Sequence, residues 1–201
     1  MASTITNNTE KTNKKTLNIP CTPARIFFVP CSGETPRKNF KNTVSNPKTL
    51  DYLRQYVDDE TASNLESTGR TKFGVWGFGS GSKNSRYYKM IQPGDLIVFS
   101  RRINDENFIY ACGTVVYSKE NERLSENIWD LDKDHTSFKN VFFMIECYDD
   151  LHIRMEPTDL GYSWNYHFGT TVPYDSSREQ YWLISNEVNN ALLNYKGKKV
   201  C

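Results

Sequence analysis

Apolar residues in this chain come in short bursts set between polar turns, and the spacing inside each burst assigns its element. "ARIFFVPCS" (24–32) is a continuous apolar run ended by Pro30 and predicts a first buried strand. "FGVWGF" (73–78), "DLIVFSRR" (95–102) and "FIYACGTVVYSKE" (108–120) predict three more, and "FKNVFFMIECYDDLHIRM" (138–155) one long or bent strand. Asn104 to Asn107 carry a hairpin signal, and Gly113 marks a bulge or a close backbone approach. A helix is expected from Pro47 onward, capped by Asn46, with a short helical turn before it at 37–44. Residues 58–69 read as a helix end or loop. Short helices are expected over 82–91, closed by Pro93-Gly94, and over 120–130. The last helix carries Leu183, Ile184, Val188, Leu192 and Leu193 on one stripe.

Short strands joined by tight turns match parallel βαβ alternation poorly. The expected fold is α+β, a small mixed β-barrel surrounded by helices, with Phe27, Val98, Phe99, Val115, Phe142 and Ile145 in its core. With 201 residues, 37% of them hydrophobic, the chain suffices for one core. Residues 1–18 are Thr, Asn and Lys with little to bury and read as a disordered tail, leaving 19–201 as a single domain. Aromatic residues reach 13%, so rings must fill much of the core.

The formal charge of +1 selects no partner, so only local clusters bear on binding. Five cysteines form no C-x-x-C pair, and His135, His152 and His167 give no zinc spacing. No cofactor or metal is expected. The odd cysteine count, with no apolar leader, reads as reduced thiols in a soluble intracellular protein without membrane contact.

One stretch is unusual. From Lys72 to Arg102 the chain places a Trp-Gly-Phe beside a Gly/Ser loop, then paired tyrosines and basic residues. "VWGFGSGSKNSRYYKMIQPGDLIVFSRRINDENFIYACGTVVYS" resembles the shared heart of EVE and YTH domains in the PUA-like superfamily. "NFKNTVSNP" and "LSENIWD…FKNVFFMI" are similar to EVE-type domains fused to modification-dependent restriction systems of the McrB kind. The resemblance spans about residues 25–195 and rests on the ordered set of elements rather than one motif. It implies a barrel of about six strands and a pocket for a flipped, modified base, N6-methyladenine or a modified cytosine, in DNA more than RNA. The chain carries no G-x-x-x-x-G-K-[ST]. A nuclease or GTPase effector would therefore be a separate protein, unless the chain is a free-standing reader or a cut-out domain.

Extruding a base costs a few kcal/mol, and each aromatic stacking partner returns about 1–3 kcal/mol, so two rings are expected. Trp76 matches the first ring position; the plainer reading is a core Trp. The second ring is open between Trp129, Trp164, Tyr162 and Tyr166. Trp129 also reads as flanking the Leu124–Ile128 stripe, and Trp164 lies in the aromatic loop "GYSWNYHFG". Gly77 and Gly79 permit close backbone approach or simply make a turn. Asn39 and Thr43 stand where YTH-like readers supply an amide to the base edge, though the plainer reading is a helix-capping Asn; Cys31 and Ser32 end the first strand nearby. Arg37, Lys38 and Lys41, with Lys83, Arg86, Lys89, Arg101 and Arg102, are candidate phosphate contacts or solvated charges.

Catalytic signals are weak. Asp95 has no partner at a dyad spacing, and Asp149, Asp150 and His152 read as a charged hairpin rather than a metal site. No enzyme is expected, with an ASCH-type ribonuclease, or a protein-interaction module with an aromatic groove, as the alternatives.

Overall fold

A computed structural model describes residues 24–79, 81–129, 138–164, 172–195 and 199–201. The expected tail at 1–18, Cys21, His135, Tyr166 and His167 lie outside the described residues. The elements run β1 (Arg25–Pro30), α1 (Glu34–Phe40) continued by a π-turn (Lys41–Ser45), β2 (Lys48–Thr49), α2 (Leu50–Leu53), α3 (Asp59–Ser67), β3 (Lys72–Phe78) and α4 (Ser82–Tyr88). There follow β4 (Leu96–Ile103), β5 (Glu106–Glu120), α5 (Glu122–Ile128), β6 (Asn140–Tyr148), β7 (Ile153–Arg154), a 3-10 turn (Pro157–Leu160), β8 (Pro173–Asp175) and α6 (Glu179–Leu193).

Among the described residues the strands form one eight-stranded sheet in the order β2-β3-β6-β5-β4-β1-β8, with β7 added on β5. Only β1 and β4 run parallel, Phe27 opposite Ile97 and Val29 opposite Phe99. The expected mixed α and β composition holds, but the closed barrel does not: the sheet is open. Its ends are the two-residue β2 and the three-residue β8, which pair inward only. The chain leaves β1 into α1 and its π-turn; the π-turn packs on β3, and Phe40 and Val44 insert among the rings of the sheet.

Side-chain alternation sends each strand's residues to two faces. Phe27 and Val29 of β1, Trp76 and Phe78 of β3, and Ile97 and Phe99 of β4 join one cluster with Phe40 and Phe142. Ile26, Phe28 and Val98 point the other way and pack against Tyr181, Ile184 and Val188 of α6. Phe73, Val75 and Phe143 face Leu53, Leu65 and Leu124 of the remaining helices. The expected core residues are buried as read, except that Val98 serves the α6 side and Ile145 is only half-buried.

Local chemistry explains the joints. Asn104 and Asp105 both take positive φ, 48° and 66°, and turn β4 into β5 at the expected hairpin. Gly113 is the expected close approach: a Cβ there would stand 3.1 Å from the Cys147 sulfur, and the β5–β6 register shifts around it. The helix expected from Pro47 is replaced by β2 and a short α2. Lys48 pairs with Phe73, and Thr49 rather than Asn46 caps the helix, its hydroxyl accepting from the Tyr52 N–H at 3.2 Å. Asn46 instead donates back to the Lys41 carbonyl at 2.7 Å. Residues 59–67 form a true helix, because the Asp58 carboxylate accepts from the Thr61 N–H at 2.9 Å. The long strand expected over 138–155 breaks into β6 and β7 through positive φ at Asp150 and His152.

The reading of all cysteines as reduced thiols is also corrected. Cys147 and Cys201 form a disulfide, while Cys31 and Cys112 are buried free thiols. The last residues fold back onto β6, Lys199 bridging Tyr148 and the Val200 N–H donating to the Cys147 carbonyl at 3.0 Å. A separation of 54 residues hides such a pair from local spacing.

Candidate functional site: a two-tryptophan box beside an arginine rim

Strand β3 turns Trp76 inward beside Gly77, and α5 delivers a second tryptophan to it. Asn121 caps α5, accepting from the Leu124 N–H at 2.7 Å, and Leu124 and Ile128 are buried on the sheet. The helix stops at Trp129, whose backbone is extended. The Trp129 ring meets Trp76 edge-on, centroids 6.5 Å apart at 65°. Gly77 makes this possible, because a Cβ there would lie 2.7 Å from the Trp129 ring and 2.3 Å from the Phe138 carbonyl oxygen. The close approach expected at Gly77 is therefore an approach to Trp129.

Helix α1 supplies the third wall. Pro36 and Asn39, three apart, share one helical face, and with Trp76, Gly77, Trp129 and Phe138 they line a cavity of about 20 Å³. That is room for roughly one water molecule. Thr43, one turn beyond Asn39, ties the walls together. Its hydroxyl accepts from Trp129 Nε1–H at 3.2 Å and donates to the Asn39 carbonyl at 2.9 Å. Asn39 itself is 4% exposed, and its Oδ1 has no hydrogen-bond partner. A buried acceptor left unpaired costs about 1–3 kcal/mol, and the flanking π-turn is a distortion common at functional sites.

The sequence candidates Trp76, Gly77, Asn39, Thr43 and Trp129, spread over ninety positions, thus meet at one place. Pro36 and Phe138 join them without having been sequence candidates. Pro36 was legible in the three-residue spacing to Asn39, whereas no sequence signal marks Phe138. Trp164 is not among the lining residues. It stands 83% exposed near the 3-10 turn, while Tyr162 accepts a hydrogen bond from the Tyr174 hydroxyl at 2.8 Å on the α6 side.

The neighbouring face of α1 meets the ends of β1 and β4. The Cys31 N–H donates to the Ser100 carbonyl at 2.8 Å and the Arg102 N–H donates to Ser32 Oγ at 2.9 Å, so the hydroxyl of Ser32 serves the strand end. Arg101 lays its guanidinium on the Tyr110 ring, 3.8 Å from the centroid, with the Phe40 ring at 5.8 Å. Burial raises the Cys31 thiol pKa, and Arg101 and then Arg37 pull it back. Arg37, Lys41 and Arg102 are exposed around this rim, and Lys83, Arg86 and Lys89 are exposed on or just after α4, which follows β3.

The weak catalytic candidates have structural partners. Asp95 is fully buried and takes a two-pronged bond from Arg25, Nε to Oδ1 at 3.2 Å and Nη2 to Oδ2 at 2.9 Å, plus the Gln92 N–H at 2.7 Å. Burial pushes its carboxyl up while these donors work against the shift. His152 Nε2 lies 2.5 Å from Asp150 Oδ1. Among the described residues no cluster of metal-ligating side chains forms, and no helix is long and apolar enough to cross a membrane.

No protein-family model, curated protein or solved structure matches this chain.

Proposed function

We propose that this protein is a nucleic-acid reader that takes an extruded modified base, N6-methyladenine or a modified cytosine, between Trp76 and Trp129, in DNA rather than RNA. On this reading it is an EVE/YTH-type member of the PUA-like superfamily with an opened sheet, and a nuclease or GTPase partner acts on what it marks. The carrying observation is that Trp76, Trp129 and Asn39 line one cavity and that Asn39 carries a buried Oδ1 with no hydrogen-bond partner. The amino groups of adenine and cytosine are the donors such an acceptor lacks, and each keeps one N–H after a single methylation. Stacking on each ring contributes about 1–3 kcal/mol. The closed box of about 20 Å³ admits no base, so Trp129 must swing from its edge contact as the ligand enters. The hydrogen bond from its indole N–H to Thr43 is the one that breaks.

The test is a binding panel of single- and double-stranded DNA and RNA oligonucleotides in which one modified base is varied at a time. A preference of tenfold or more for one modified base, quenching tryptophan fluorescence on binding, is expected with the oligonucleotides recovered intact. Equal affinity across the panel, or cleavage of any strand by the pure protein, would sink the reading.

A further inference from the structure

A second built feature lies one ring away from the tryptophan box. Phe99 stands edge-on to Trp76 at 5.2 Å and edge-on to Phe40 at 5.1 Å. Beyond Phe40 lies Arg101, its guanidinium flat on Tyr110. The backbone fixes this arrangement, because the β1–β4 register carries Pro30 opposite Ser100 and so sets Cys31 beside Arg101. His152 braces the other ring, edge-on to Tyr110 at 5.3 Å.

Arg101 lacks what a half-buried guanidinium ordinarily has. Its Nε is buried with no hydrogen-bond partner, and among the described residues it forms no ion pair with a carboxylate. Arg25, the other partly buried arginine, is matched with Asp95. Arg37, on the α1 face next to Phe40, has no carboxylate partner among the described residues either, and both guanidiniums act on the Cys31 thiol. A planar guanidinium held in place by an aromatic face, with an unpaired Nε–H and a second positive group near it, is suited to a phosphate oxyanion. Two carboxylates, Asp149 and Asp150, are within electrostatic reach of the Tyr110 hydroxyl. Asp150 is engaged by His152, and neither pairs with Arg101.

We propose that Arg101, with Arg37, binds one phosphate group, the phosphodiester beside the base that enters the tryptophan box. The assignment rests on the reader function for the identity of its ligand, but the anion site is measurable without it. Of the basic residues, it singles out Arg101 as the group held in place by aromatic rings, with the exposed Arg37 as its second charge.

The experiment follows the Arg101 Nε–H resonance by NMR while the protein is titrated separately with inorganic phosphate, an oligonucleotide of abasic sites and an unphosphorylated nucleoside. Phosphate and the abasic strand should shift the resonance saturably and compete, and the nucleoside should leave it unmoved. Arg101→Gln should weaken modified and unmodified oligonucleotides alike by about tenfold or more, with the salt slope falling by about one. Arg37→Gln, at an exposed position, gives the same direction at smaller size and covers the case in which Arg101→Gln does not fold. If phosphate leaves the resonance in place, the site does not exist. The site is equally ruled out if Asp149→Asn with Asp150→Asn moves the resonance without ligand, since those carboxylates would then be its partners. Binding of inorganic phosphate without competition by the abasic strand would overturn the phosphodiester. Failure of the reader function shows up differently, as phosphate binding retained with no base preference in the panel.

Discussion

Two buried polar side chains, Asp95 and Asn39, are treated in opposite ways. Asp95 is enclosed completely, and both of its oxygens are taken, by the Arg25 fork and the Gln92 amide. Asn39 is nearly as buried and shares a cavity with two tryptophans, yet its Oδ1 has no hydrogen-bond partner. The first polar group fastens the Pro93-Gly94 turn to β1 and does structural work. The second adds a cost to the fold, which a donor arriving from outside would remove. Satisfaction of hydrogen bonds, rather than burial, separates the structural residue from the candidate for binding.

Substitutions sharpen this contrast, beginning with the largest effect. Asp95→Ala should lower the unfolding free energy by about 3 kcal/mol in urea titration, because it strands Arg25 and an amide N–H in the interior. A loss below about 1 kcal/mol would place the pair among ordinary surface bridges and erase the distinction. Gly77→Ala comes next. Its Cβ collides with the Phe138 carbonyl and the Trp129 ring, so about 1–3 kcal/mol of destabilisation is expected, accompanied by a changed tryptophan emission spectrum. Wild-type stability and emission would mean that Trp129 does not rest on Gly77.

Asn39→Leu should change stability by less than about 1 kcal/mol in either direction, since it removes an acceptor that has no partner. The same variant should lose the preference for the modified oligonucleotide in the binding panel. A large loss of stability would reveal Asn39 as a second Asp95. The smallest effect is at the surface, where Lys119 reaches Asp58 at 2.6 Å. Lys119 and the Thr61 donors hold the Asp58 carboxyl well below its ordinary range. Its folded pKa lies under its unfolded one, so its contribution is complete at neutral pH and is lost as pH falls below about 4. Urea midpoints measured across that range should fall slightly less for Asp58→Asn than for the wild type; identical slopes would show the bridge to be inert.

Much of the path to the site was legible in local pattern. The apolar bursts at 24–32, 95–102 and 108–120 became β1, β4 and β5, and Asn104-Asp105 made their hairpin because both residues tolerate positive φ. Trp76 proved harder to read, because the alternatives of core and pocket wall are not exclusive. It is 6% exposed, belongs to the main cluster, and lines the box as well. A Trp76→Ala variant would therefore remove a core ring together with a binding wall, and Asn39→Leu is the cleaner probe.

What the sequence determined by itself were the elements whose causes lie within a few residues: strand alternation, the hairpin turn, and the α5 stripe that ends in Trp129. What only the tertiary structure decided depends on distant partners. The sheet ends at the short strands β2 and β8, and the π-turn packs on β3. Cys147 finds Cys201 because the C-terminal residues return to β6. Trp129 rather than Trp164 joins Trp76, since the ring of Trp129 fits over the missing side chain of Gly77. The unpaired states of Asn39 Oδ1 and Arg101 Nε belong to the same class, because a missing hydrogen bond is a property of everything packed around an atom and has no local signature in the chain.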